Sequence, residues 1–156
     1  LMSLVLFTMF GASLVFAQAP TLDKLSFSNL MNNDCIVSAA NKSISGTVII
    51  PDVYGGRTVG AIPIGGFRDC TDITSVILPS LNNINLMAFD RCTSLISVTF
   101  LGPVNFANAN AFPGDLVAKY RAANGGAGTY TRPRGSNTWT KQGGAVCPTC
   151  GQPLPR

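Results

Sequence analysis

Thr71-Asp-Ile-Thr-Ser-Val-Ile-Leu-Pro79 returns 22 residues later as Thr93-Ser-Leu-Ile-Ser-Val-Thr-Phe-Leu101, and each copy follows a Phe-x-x-Cys-Thr block, Phe67 to Thr71 and Phe89 to Thr93. The pairs Ile62/Ile84, Phe67/Phe89, Cys70/Cys92, Ile73/Leu95, Val76/Val98 and Leu78/Phe100 share that offset. A period in the low twenties with apolar residues at this rhythm is the mark of a solenoid. One repeat cannot bury its apolar face alone, so each must lie against the next.

Within each copy the inward set is Ile73, Val76 and Leu78, then Leu95, Val98 and Phe100. The two-residue alternation predicts a strand, so Thr74, Ser75 and Ile77 point outward, as do Ile96, Ser97 and Thr99. Pro79, which has no amide to donate, ends the first strand. A looser copy, Gly46-Thr-Val-Ile-Ile-Pro51, aligns Val48 and Ile50 with Val76 and Leu78. It then carries an insertion, placed at the Tyr54-Gly55-Gly56-Arg57-Thr58 turn. A degenerate copy runs from Pro103 to Phe112. About three coils result, near the minimum at which stacking offsets ordering entropy, so the ends need caps.

Those caps are visible in the sequence. Leu25-Ser-Phe27 and Cys35-Ile-Val37, across an Asn-rich turn, predict an N-terminal hairpin that covers the open end of the first coil. Asp115-Leu-Val-Ala-Lys-Tyr120 predicts a short helix with Asp115 at its start and Leu116 and Tyr120 on one face. Thr129-Tyr-Thr and Asn137-Thr-Trp-Thr140 alternate like two edge strands. The expected organisation is a signal peptide over 1–17, an N-terminal cap over 18–45, repeats over 46–114, a C-terminal cap over 115–142 and a CxxC tail over 143–156. The leader rests on an apolar run from Leu1 to Phe16, with small residues favouring cleavage after Ala17. It is shorter than the roughly 20 residues of a membrane helix and has no basic start. Export to the medium or cell surface is the expectation, with no membrane span after its removal.

These residues resemble the BspA-like, or treponemal-type, leucine-rich repeat family. That family's pattern is a strand closing on Ile-Pro, a second strand, then A-F-x-x-C. Here it reads Ile73-Thr-Ser-Val-Ile-Leu-Pro79, Ile84, then Ala88-Phe89-Asp-Arg-Cys92, with an earlier copy at Val59-Gly-Ala-Ile62 and Gly66-Phe67-Arg-Asp-Cys70. Asn85 stands where the family has Gly, and Ile64-Gly65-Gly66 replaces the usual entry to A-F. The stretches Phe112 to Tyr120, Gly128 to Arg132 and Thr138 to Lys141 are similar to a segment that follows such repeats in spirochaete proteins. The resemblance covers about Leu25 to Gln142. It implies a leucine-rich repeat solenoid of mostly short parallel β-strands and turns, in about three coils, with an N-terminal β-hairpin cap and a C-terminal cap holding one short helix. It further implies a surface or secreted role, such as adhesion to host matrix proteins or to other bacteria.

The chemistry of the chain argues against catalysis. There is no His and no Glu, so the common base of nucleophilic triads is missing. Asp69, Asp72 and Asp90 fall in the repeat turns, where Asp serves backbone hydrogen bonds. Gly125-Gly-Ala-Gly128 follows a predicted helix and lacks the lysine of a phosphate loop. Charge is lopsided, because from Leu116 onward there are six basic residues and no acid, whereas five basic residues face seven Asp before that point. The basic end is expected to be a solvated cap rather than a nucleic-acid contact, since no recognition helix or stacking platform accompanies it.

Two cysteine sets invite chemistry. Cys70 and Cys92 recur at the repeat period, which puts them within disulfide reach, but two buried thiols filling a small apolar slot is the favoured expectation. Cys147-Pro-Thr-Cys150 has the spacing of a zinc knuckle. A structural site needs four ligands, so zinc ranks behind a local disulfide or unpaired thiols, and a redox centre ranks last. No other cofactor is expected. What remains is a face: Thr47, Ser75 and Ser97 form one outward ladder, Ile49, Ile77 and Thr99 the next, with Thr74 and Ile96 beside them. The expectation is an exported, non-enzymatic module that binds a matrix or cell-surface protein through this strip. A spacer without a partner, and a metal-dependent assembly through Cys147 and Cys150, are the alternatives.

Overall fold

The computed structural model describes residues 22–30 and 33–143. After a 3-10 turn at Leu22–Lys24, the chain forms β1 (Leu25–Asn29), β2 (Asp34–Ala39), β3 (Gly46–Ile49), β4 (Val53–Tyr54), β5 (Arg57–Ile62), β6 (Ile73–Leu78), β7 (Leu81–Ile84), β8 (Ser97–Phe100) and β9 (Val104–Phe106). A 3-10 turn at Ala109–Ala111, the helix α1 (Leu116–Arg121), β10 (Gly128–Thr131) and β11 (Thr140–Lys141) complete it. From β2 to β10, with the β4 insertion set aside, the chain alternates between two sheets. One has the order β1-β2-β5-β7-β9, the other β11-β10-β8-β6-β3.

The repeat strands stack as the period requires. β3, β6 and β8 run parallel, with Val48 beside Val76 and Val76 beside Val98. All three valines are fully buried, and Ile73, Leu78, Leu95 and Phe100 join them in one core. The other sheet is also parallel through β2, β5, β7 and β9. The predicted hairpin is present, with Phe27 opposite Val37. Its second strand differs from a simple lid: β2 pairs parallel with β5, so the cap is itself half a coil.

The turns between β5 and β6 and between β7 and β8 make a third wall, and they too bond from coil to coil. The Phe67 amide donates to the Ala88 carbonyl at 2.7 Å, and the Phe89 amide to Ala111 at 2.8 Å. Inside this wall Phe67, Phe89 and Phe112 form a column of stacked rings with centroids 4.9 and 4.5 Å apart. The backbone repeats in detail: Gly65 and Met87 have φ of 62° and 56°, Asp69 and Arg91 61° and 58°. Left-handed backbone at a non-glycine residue costs roughly 1–2 kcal/mol. Coil-to-coil bonds from the Asp69 amide to the Asp90 carbonyl and from the Met87 amide to the Asn110 carbonyl, at 2.9 and 3.1 Å, hold two of these residues there.

Gly55 and Gly56, both at positive φ, make the two-residue turn between β4 and β5 at the predicted insertion. At the far end α1 covers the β9 edge. The Tyr120 hydroxyl accepts from the Val104 amide at 2.9 Å, and Arg121 donates to the Phe106 carbonyl at 2.8 Å. β10 turns antiparallel and closes the edge of β8, placing Tyr130 opposite Val98.

Two details of this cap depart from the expectation. The second cap strand is only Thr140–Lys141. The amides of Thr138 and Trp139 are spent on the Ser136 hydroxyl and the Asp115 carboxylate, at 3.1 and 2.7 Å, and so leave the ladder. For the same reason Asp115 makes no side-chain cap on α1, since its carboxylate ties the helix start to Trp139 instead.

Candidate functional site

The outer face of the β11-β10-β8-β6-β3 sheet carries the predicted strip. Thr47 lies beside Ser75 and Ser75 beside Ser97, while Ile49, Ile77 and Thr99 form the neighbouring ladder. All six are half-buried, as expected of side chains standing on one open face of a sheet. Thr74 and Ile96 sit at the strand entries. The register steps from Gly46/Ile73 to Thr47/Ser75, so Thr74 is a bulge residue, and its carbonyl accepts from the Ile96 amide at 3.0 Å.

The strip is wider than the repeats alone predict. Thr131 pairs with Ser97 and Thr129 with Thr99, so β10 adds a further rung to each ladder. The Thr99 and Thr129 hydroxyls meet at 3.0 Å, and Gln142 donates to the Thr131 hydroxyl. Thr140, opposite Thr131, extends the face to a fifth strand. The sequence signal was the Thr-x-Thr alternation around Tyr130, whose own side chain is buried.

No ionisable side chain stands in either ladder. Charge gathers instead on the turn wall. Arg68 lies 3.2 Å from Asp90, and Arg91 lies 3.5 Å from Asp69. This corrects the expected role of Asp69 and Asp90, whose carboxylates face arginines rather than backbone amides. The cause is in the period: Arg68-Asp69 in one coil meets Asp90-Arg91 in the next, so opposite charges occupy the same repeat position and stack. Such half-exposed pairs are worth about 0–1 kcal/mol each. The Asp72 carboxylate accepts from the adjacent Thr71 hydroxyl, at 3.4 Å.

On the other sheet Asn85, in the family's glycine position, donates both its backbone and side-chain N–H groups to the Ile62 carbonyl, at 3.1 and 2.9 Å. Asn83 in turn donates to the Asn85 side chain at 3.1 Å. An asparagine thus supplies a coil-to-coil bond that glycine lacks.

Cys70 and Cys92 are fully buried free thiols. Cys92 donates to the Phe67 carbonyl at 3.1 Å. Burial, then the neighbouring Cys70, pushes the Cys92 thiol up to about 12. Burial raises Cys70 and Cys35 as well. A thiol held protonated is a poor nucleophile and metal ligand, and these groups pack as small apolar residues. Among the described residues no cluster of three or more metal-ligating side chains occurs. Cys147 and Cys150 lie outside the described residues, as does the expected leader. No helix among the described residues is long and apolar enough to cross a membrane.

No family model matches the chain, and no curated protein matches it. Among solved structures the chain is similar to the crystal structure of a leucine-rich repeat protein from T. pallidum, with 17% identity and a TM-score of 0.42. The match covers 56% of this chain and 52% of that one, about half the length of that protein. Its own 22-residue period and coil-to-coil register make the chain a leucine-rich repeat solenoid.

Proposed function

We propose that this chain is an exported, non-enzymatic module that binds a protein partner through the outer face of the β11-β10-β8-β6-β3 sheet, in the manner of an adhesin. One observation carries the reading: the outward ladders of five strands present serine, threonine and isoleucine without a charge, while the arginine–aspartate pairs of the repeats lie on the turn wall. A partner that covers the strip has no charge to desolvate, and desolvation of unpaired charge is the main penalty at an interface core. The strand hydroxyls offer hydrogen bonds of either polarity, and Ile49, Ile77 and Ile96 add apolar contact. Surface-exposed or secreted proteins, host matrix proteins included, are the partners this role calls for.

The test is a binding screen against matrix and cell-surface proteins with wild type, Ile77→Asp plus Thr99→Asp, and Asn105→Asp plus Ala107→Asp at exposed positions on and beside β9 of the other sheet. Two carboxylates in the strip should weaken capture more than tenfold, whereas the control pair leaves it intact. Equal binding by all three proteins removes the face from the account. Fractionation of cells that make the protein tests export directly, and an intracellular location for the mature chain would refute that part.

A further inference from the structure

At the C-terminal corner of the solenoid, the turn wall meets the cap across a cleft of about 170 Å³, bordered by Arg91, Cys92, Thr93, Pro113, Arg132, Gly135 and Asn137. Arg132 is 7% exposed, the one charged residue that is buried among the described residues. Its guanidinium donates to the carbonyls of Leu95 at 2.7 Å, Ser136 at 2.9 Å and Cys92 at 3.3 Å, and stacks on the Trp139 ring at 4.9 Å. A guanidinium has five N–H groups. Three are used here, by Nε and by one hydrogen on each terminal nitrogen, which leaves one N–H on each terminal nitrogen.

No ion pair among the described residues includes Arg132. All seven Asp are described, and the chain has no Glu. A buried cation without a counter-charge is costly, and burial already pulls Arg132 below the usual arginine range. Beside it, Arg91 adds a second cation at the rim, shared with Asp69 and Asp90 at 3.5 and 3.8 Å. Thr93 and Asn137 add a hydroxyl and an amide, and no carboxylate borders the cleft.

We propose that this corner cleft is a binding site for a small oxyanion, whose oxygens take the two remaining N–H groups of Arg132 while Arg91 supplies charge at the mouth. The paired N–H groups of a guanidinium match the oxygen spacing of a carboxylate or a phosphate. The anion is either a free oxyanion or an acidic side chain brought by another protein. The site is separate from the sheet face and stands whether or not that face binds a partner.

Trp139 is the only tryptophan and lies against Arg132, so its fluorescence reports the site. The full chain is titrated at constant ionic strength with inorganic phosphate, with acetate and with N-acetyl-aspartate amide, against chloride as reference. Melting temperature is followed in parallel, because a ligand that binds only the folded state raises it. Saturation with phosphate or acetate but not with N-acetyl-aspartate amide assigns the cleft to a free oxyanion; saturation with N-acetyl-aspartate amide as well assigns it to an acidic group of a partner.

Arg91→Gln, at an exposed rim position, should weaken saturation about tenfold without unfolding the chain. Asn137→Asp, nearly isosteric, places a carboxylate at the cleft. It should abolish the response and raise the melting temperature without added ligand. A signal that follows chloride without saturating overturns the proposal, as does an Asn137→Asp protein that melts no higher than wild type.

Discussion

Replacing Phe89 by alanine removes the middle ring of the column that joins the coils. Phe89 is fully buried and stacks on Phe67 at 4.9 Å and on Phe112 at 4.5 Å. Truncating a buried Phe to Ala costs about 3–5 kcal/mol. Each stacked pair adds roughly 0.5–1.5 kcal/mol beyond area burial. Phe67 is equally buried but has one stacked neighbour. Phe67→Ala should therefore cost about 1 kcal/mol less than Phe89→Ala. Against a total stability of roughly 5–15 kcal/mol, the loss at Phe89 is about a fifth or more. With a urea slope of about 2 kcal/mol per molar, it lowers the midpoint by roughly 2 M. Trp139, in the C-terminal cap, gives the fluorescence readout, and its transition should move with the whole chain. A loss at Phe89 below about 1 kcal/mol, or a larger loss at Phe67 than at Phe89, refutes the idea that the column links the coils.

Two further outcomes are expected. A Cβ at Gly114, where φ is 75°, would lie 2.2 Å from the Asn137 carbonyl oxygen, whereas one at Gly56, where φ is 77°, meets nothing within 4 Å. Gly56→Ala should thus cost only the left-handed strain of about 1 kcal/mol, and Gly114→Ala clearly more, both read from urea midpoints. The Cys92 thiol, raised by burial to about 12 from an ordinary value of 9.0, keeps its proton in the folded state while the unfolded chain loses it. Its contribution is therefore constant below about pH 9 and declines as pH rises toward 12. Cys92→Ala should be destabilised at pH 8, with a gap to wild type that narrows by pH 10.5. A constant gap contradicts the burial argument.

The period made most of the fold legible. Val76 and Val98 at an offset of 22 specify both the strand and its neighbour, because one shift of register would turn every inward side chain outward. The same logic located the Gly55-Gly56 insertion and the Phe112 copy. Where the period ends, local propensity had to serve, and it served less well. The alternation at Asn137 to Thr140 looked like a strand, yet the Ser136 and Asp115 side chains took the Thr138 and Trp139 amides. The second role of β2 was hidden because a hairpin pattern does not reveal which sheet its outer edge joins.

For the face, the six ladder positions on β3, β6 and β8 were readable from alternation, whereas Thr129, Thr131, Thr140 and Gln142 depend on the antiparallel return of β10. The arginine–aspartate stack was present at the repeat offset, with signs exchanged between Arg68-Asp69 and Asp90-Arg91. In a turn, the propensity of Asp for backbone hydrogen bonds masks such a pairing. The burial of Arg132 had no local signal, since it arises from carbonyls 37 and 40 residues away in sequence.

Methyl NOE spectroscopy on the uniformly labelled chain tests the central claim most directly. Side chains on adjacent in-register strands lie about 5 Å apart, and those two strands apart lie near 10 Å. Cross-peaks should therefore join Val48 to Val76 and Val76 to Val98, with none between Val48 and Val98. A direct Val48–Val98 contact, or no contact between Val76 and Val98, would contradict the stacked coils and the open face built on them.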